Sequence, residues 1–140
     1  MVHFRMVAVM GSFCCMTGLA AAAGGDFKEP YRRGVEFNKK GEYAQAIEQY
    51  TRAIALKKDS AELYFVRGRA YRQNSQYDQA IADLGKAVAL KPAYGEAYNS
   101  RGVAFIGKGD KEKARADFKK ACDLGDKDGC DNLAKLKEKK

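Results

Sequence analysis

The chain has 140 residues and a net charge of +8, from 26 basic and 18 acidic side chains, and 46% of it is hydrophobic. That length suits one domain able to bury most of its unfolded surface. Its single histidine is His3, so nearly the whole chain lacks the commonest general base and metal ligand, which argues against catalysis and against a zinc site.

Residues 1–23 read as a signal peptide. His3 and Arg5 make a short basic start, Met6 to Leu19 is an apolar run, and Ala20 to Gly24 supplies the small residues that cleavage after Ala23 requires. If retained, the stretch from Met6 to Ala23 is just long enough to anchor in a bilayer, but its shortness and its small-residue end favour cleavage. Lipid attachment at Cys14 or Cys15 fits less well, because Phe13 precedes the first of them. Removal leaves residues 24–140 with no histidine, with Cys122 and Cys130 as the remaining cysteines, and with net charge +7, since Arg5 is the one charged residue lost. The expected location is the bacterial periplasm or the exterior.

Three helix pairs follow, over residues 27–60, 61–94 and 95–128. The middle pair is the clearest. Leu63, Tyr64, Val66, Ala70 and Tyr71 recur at helical steps, and a short break runs from Gln73 to Gln76. A second stripe then carries Tyr77, Ala80, Ile81, Leu84, Ala87, Val88 and Leu90. Lys91-Pro92 ends it, because a residue before proline is pushed out of the α region. The first pair turns at Lys40-Gly41-Glu42, with Asp59-Ser60 capping the next helix, and the third turns at Lys108-Gly109-Asp110. No segment alternates with period two, so the fold class is all-α. A closing helix over 129–140 has Leu133 and Leu136 as its inner face.

Six columns repeat at intervals of 34 residues: Gly34/Gly68/Gly102, Phe37/Tyr71/Phe105, Ala46/Ala80/Ala114, Tyr50/Leu84/Phe118, Ala53/Ala87/Ala121 and Leu56/Leu90/Leu124. A fixed period of this length means one helical unit stacked along an axis, which offers a long surface and no closed pocket. Glycine inside a helix costs about 1 kcal/mol relative to alanine, so the glycine column needs a packing reason. The alanines at 46, 80 and 114 are the expected facing partners. Arg33, Arg67 and Arg101 precede the glycines, and Asp83 and Asp117 recur on the second helices. Arg67–Asp83 and Arg101–Asp117 pairs bridging the helices are expected, while Arg33 faces only Gln49.

The chain resembles the tetratricopeptide repeat (TPR) family. Tyr64, Gly68, Tyr71, Ala80, Leu84, Ala87 and Pro92 meet its pattern, as do Tyr98, Gly102, Phe105, Ala114, Phe118 and Ala121, over residues 27–128. Pro30 departs from it at the opening aromatic position, Lys58 and Asp126 replace the closing proline, and the arginine column replaces a leucine. The resemblance implies a right-handed α-solenoid of three helix pairs plus a capping helix, with the first helices lining a concave groove that holds a peptide. The groove residues it implies are Lys28, Tyr31, Val35, Asn38 and Lys39, then Glu62, Phe65, Arg69, Arg72 and Gln73, then Glu96, Asn99, Val103, Ile106 and Gly107. The Lys/Asn/Arg clamp of chaperone-binding members maps to Tyr31, Val35, Val66, Glu96 and Ser100, and is therefore absent.

Cys122 and Cys130 stand with seven residues between them across the turn at Gly125-Asp126-Lys127. Two cysteines without a histidine cannot make a zinc site, and the spacing is not that of a redox Cys-x-x-Cys pair, so a structural disulfide is expected. The tail from Ala121 to Cys130 also resembles cysteine-rich TPR relatives of secreted bacterial proteins. Ser60, Ser75 and Ser100 lie at turns or helix starts and read as caps, no phosphate loop is present, and no cofactor is expected. The expected role is a non-enzymatic interaction module for an acidic protein or peptide partner, with contact to an envelope surface as a further option and nucleic acid set aside because of export. The other reading is an assembly subunit that self-associates through its repeat faces.

Overall fold

Each apolar stripe in the sequence becomes one helix. The computed structural model describes residues 25–138, in which seven helices follow one another: α1 (Lys28–Lys39), α2 (Tyr43–Leu56), α3 (Ala61–Gln73), α4 (Tyr77–Leu90), α5 (Gly95–Lys108), α6 (Lys111–Asp123) and α7 (Lys127–Glu138). There is no strand among the described residues. The signal segment proposed for residues 1–23 lies outside them. No helix of the described residues is long and apolar enough to cross a membrane.

Local chemistry sets the helix ends. The turns inside the three pairs place Gly41, Ser75 and Gly109 in the left-handed region, with φ of 76°, 59° and 84°. These residues again stand 34 apart, and only Ser75 must hold that backbone with a side chain attached. Ser60 Oγ accepts from the Leu63 amide at 3.3 Å, Asp110 accepts from Lys113 N at 3.1 Å, and Asp126 accepts from Gly129 N at 2.9 Å. Each thereby satisfies an amide that the first turn leaves without an intrahelical partner.

α1 packs on α2, α3 on α4 and α5 on α6, and each second helix packs on the next first helix, ending with α6 on α7. The result is an α-solenoid. Its core is continuous from pair to pair: Leu84, Ala87 and Val88 of α4 cluster with Phe65 of α3 and with Ala97 and Ala104 of α5.

The glycine column has a different partner from the expected alanines. A Cβ placed at Gly34 would stand 2.5 Å from the Tyr50 ring, one at Gly68 2.8 Å from Leu84 Cγ, and one at Gly102 2.6 Å from the Phe118 ring. The large side chain one turn after the alanine therefore lies flat against bare backbone. Ala46, Ala80 and Ala114 are fully buried but fill the space beside that contact. The expected small-on-small contact is a small-on-large one.

The arginine column behaves as expected. Arg67 Nε and Nη2 donate to Asp83 at 2.6 and 2.8 Å, and Arg101 Nε and Nη2 donate to Asp117 at 2.8 Å each. These two-point pairs join the first and second helix within one unit, and both aspartates are buried. The hydrogen bond to its aspartate holds each guanidinium above the ordinary arginine pKa. Arg33 turns instead to Glu29 of its own helix, at 2.9 Å.

Gly102→Val should lower stability by about 1–3 kcal/mol through overpacking against Phe118, measured by urea unfolding. An unchanged midpoint would show that the ring can swing aside.

Alkaline pH supplies a second check. Burial pushes the Tyr50 and Tyr94 phenols from 10.0 up to about 12. The unfolded chain therefore gives up these protons first, so their contribution is full below about pH 10 and is lost as pH rises towards 12. Helicity should fall over that window, together with the late rise in tyrosinate absorbance. Full helicity with every tyrosine ionised would contradict the burial argument.

Candidate functional site

The first helices α1, α3 and α5, with α7 after them, form one wall of the solenoid. Along it, positions 34 residues apart recur on the same helix face. Val35, Arg69 and Val103 make one such row and Asn38, Arg72 and Ile106 the next, backed by Tyr50, Leu84 and Phe118 from the second helices. Three recesses open there.

The first is a space of about 190 Å³ lined by Val35, Asn38, Lys39, Tyr50, Val66 and Arg69. Asn38 Oδ1 is buried in this region without a hydrogen-bond partner. Tyr31 sits beside it, its ring 6.2 Å from that of Tyr50 and its hydroxyl donating to Glu62 Oε1 at 3.1 Å, which ties α1 to α3. Lys28 is exposed at the outer end.

The second recess, about 220 Å³, is lined by Phe65, Arg69, Arg72, Glu96, Asn99, Ser100, Asp126 and Asp128. Phe65 was expected to present its ring to a partner. Instead it is buried, packed on Tyr94 at 4.8 Å, because the loop before α5 folds over it. The exposed Arg69 guanidinium lies 5.4 Å from that ring. Arg72 is half-buried, and its Nε has no partner. Burial first, and then the neighbouring Arg69 charge, hold Arg72 below the ordinary arginine pKa. Among the described residues neither arginine makes an ion pair, in contrast to Arg67 and Arg101. Gln73 is exposed one residue beyond Arg72, at the end of α3.

The third recess is a cleft of about 400 Å³ between α5, α6 and α7, lined by Val103, Ile106, Lys111, Phe118, Asn132, Lys135 and Leu136. Asn132 donates to Asn99 Oδ1 at 2.9 Å and so divides it from the second recess. Gly107, further along α5, packs against the Tyr77 ring of α4.

α7 matters more to this wall than its role as a cap suggested. A Cβ at Gly129 would stand 2.5 Å from Ala121 Cβ, so α7 comes down close on α6. Cys122 and Cys130 lie beside that contact with Cα atoms 4.6 Å apart and their sulfurs at disulfide distance. Asp126, Asp128, Asn132, Lys135 and Leu136 thus join the site, none of them foreseen as part of it. The signal was present, since Gly129 continues the register of Ala61 and Gly95, and Leu136 that of Gly102.

Two positions assigned to the chaperone clamp offer little surface to this wall. Val66 packs into the core and Ser100 is 8% exposed. Counting 34 residues from Tyr31 and Val35 gives Phe65, Arg69, Asn99 and Val103, a set with one cation and no lysine. Among the described residues no cluster of three His, Cys, Asp or Glu side chains could hold a metal ion.

A tetratricopeptide repeat model matches residues 65–129 and a TPR repeat model matches 34–71. The second TPR domain of human RPAP3, solved in complex with the HSP70 peptide SGPTIEEVD, is 35% identical. That match covers 80% of this chain and 92% of that one, at a TM-score of 0.72. This chain belongs to the tetratricopeptide repeat family. The first TPR of Spaghetti (RPAP3), bound to the HSP90 peptide SRMEEVD, is 26% identical over 81% of this chain and 91% of its own, with a TM-score of 0.76. The Arabidopsis OM64 TPR domain is 26% identical over 81% and 95%, with a TM-score of 0.77. No curated protein matches. The TPR fold is a scaffold for protein interaction, and two of these neighbours hold peptides whose sequences end in EEVD.

Proposed function

We propose that this TPR protein is an exported, non-enzymatic interaction module that holds an acidic peptide segment along the wall formed by α1, α3 and α5. The observation that carries the reading is the pair Arg69 and Arg72. Every other arginine of the described residues is paired with a carboxylate, whereas these two line one recess and make no ion pair there. A half-buried guanidinium lacking a partner is costly, and a bound carboxylate removes that cost with charge-assisted hydrogen bonds. Glu96, Asp126 and Asp128 line the same recess. They confine an incoming carboxylate to the arginine side and disfavour an unbroken acidic run. The peptides held by the RPAP3 domains, with acidic residues near the end, support a partner of this chemistry.

Replacing Arg69 and Arg72 together by Ala should leave helicity intact, since neither belongs to a buried packing column. Affinity for acidic synthetic peptides should fall at least tenfold by fluorescence anisotropy, and raised salt should mimic the change. Undiminished binding by a folded double mutant would move the interaction off this wall.

Export is part of the same proposal: residues 1–23 direct the chain out of the cytoplasm, and Cys122 and Cys130 form a disulfide there. The disulfide-distance geometry of the pair supports it. Closing so short a loop contributes about 2–3 kcal/mol, and in a repeat array that effect stays near its site. Cys130→Ser should therefore speed hydrogen exchange in α7 and α6 first, leaving α1 and α2 protected. Two freely alkylated thiols in native protein, or equal loss of protection in α1, would contradict the staple.

A further inference from the structure

The first and third recesses are one notch repeated, and the second lies between them. Val35, Asn38 and Tyr50 of the first stand two periods before Val103, Ile106 and Phe118 of the third. In the middle unit the matching positions are Arg69, Arg72 and Leu84. The chemistry changes along the row from polar, through cationic, to apolar.

The third notch is also the roomiest, at about 400 Å³. Val103, Ile106, Phe118 and Leu136 make its surface apolar. Leu136 takes the register where the three units carry glycine. It can be large there because no second helix presses on α7 among the described residues. Ile106 is 40% exposed at the mouth of this apolar cleft. At the rim stand Lys111 and Lys135, both exposed and neither in an ion pair among the described residues.

We infer that this cleft receives one large apolar side chain, of the leucine or phenylalanine class, from the same partner segment whose carboxylate meets Arg69 and Arg72. The inference rests on the groove reading above. The cleft adjoins the second recess, since Asn132 of the one is hydrogen-bonded to Asn99 of the other. The lysines at its rim suit a segment that is acidic on either side of that apolar residue. Packed helices lie about 8–10 Å apart and an extended chain rises about 3.3 Å per residue. Carboxylate and apolar side chain should therefore be separated by about three residues. The middle notch thus selects charge and the third selects shape.

The test uses the mature protein and short synthetic peptides that carry two glutamates and, three residues further on, Phe, Leu or Ala. The Phe and Leu peptides should bind about tenfold tighter than the Ala peptide by anisotropy. In Leu136→Ser that advantage should vanish while affinity for the Ala peptide stays at the wild-type value. Ile106→Ser, on a different helix, should give the same result and guards against a local folding defect at α7. Amide resonances around Val103 and Ile106 should shift with the Phe peptide and not with the Ala peptide. If the Ala peptide binds but Phe and Leu add nothing, or if their advantage survives in both variants, the cleft is not the apolar site and the groove reading stands. If no glutamate peptide binds the wild-type protein, both readings fall together.

Discussion

A large side chain lying on bare backbone is the contact from which each unit of this protein is built. Tyr50, Leu84 and Phe118 rest on Gly34, Gly68 and Gly102 at distances that leave no space for a Cβ. This brings the two helices of a pair close, and the spacing between them fixes how the next pair can stack. Glycine is a poor helix residue, so the column persists in α1, α3 and α5 only because the large side chain it admits buries far more apolar surface than the glycine forfeits. The Arg67–Asp83 and Arg101–Asp117 pairs then fix the register of the helices that these contacts hold together. Unit one lacks this second device, since Gln49 replaces the aspartate and Arg33 bonds within its own helix.

The site follows from the same repetition. Because every unit has the same backbone, equivalent positions fall at regular steps along one wall, and substitution at those positions writes different chemistry into identical notches. Arg72 shows this most directly. It occupies the place that Asn38 and Ile106 hold in neighbouring units, and there a guanidinium has neither an ion-paired carboxylate nor full access to water. Arg67, five residues earlier on the same helix, has its carboxylate supplied by α4. The difference between a structural and an available arginine is thus one of helix face.

Much of the fold was legible in the residues. The helix pairs, their turns, the cap at Ser60 and the Arg–Asp bridges all rest on spacing along the chain, and spacing is what a sequence displays. The assignment of Ala46, Ala80 and Ala114 as the partners of the glycines failed for a definable reason. Periodicity shows which residues face inward, but it does not show which inward residue of one helix meets which of the other, because that depends on the crossing angle and axial offset. Phe65 was misread in the same way. Its register places it on the wall, and Tyr94, from a loop without periodic signal, covers it.

The sequence by itself determined the repeat, the helices and the set of residues on each face, because a 34-residue period and a 3.6-residue helical pitch are properties of a chain read along its length. Only the tertiary structure decided which of the described arginines make no ion pair and that α7 is a fourth wall helix. It also decided that Val103, Ile106, Phe118 and Leu136 enclose a cleft. These depend on distances between side chains far apart in the chain, set by how closely one helix can approach another. At Gly129 and Ala121, that approach is fixed by the absence of a single carbon atom.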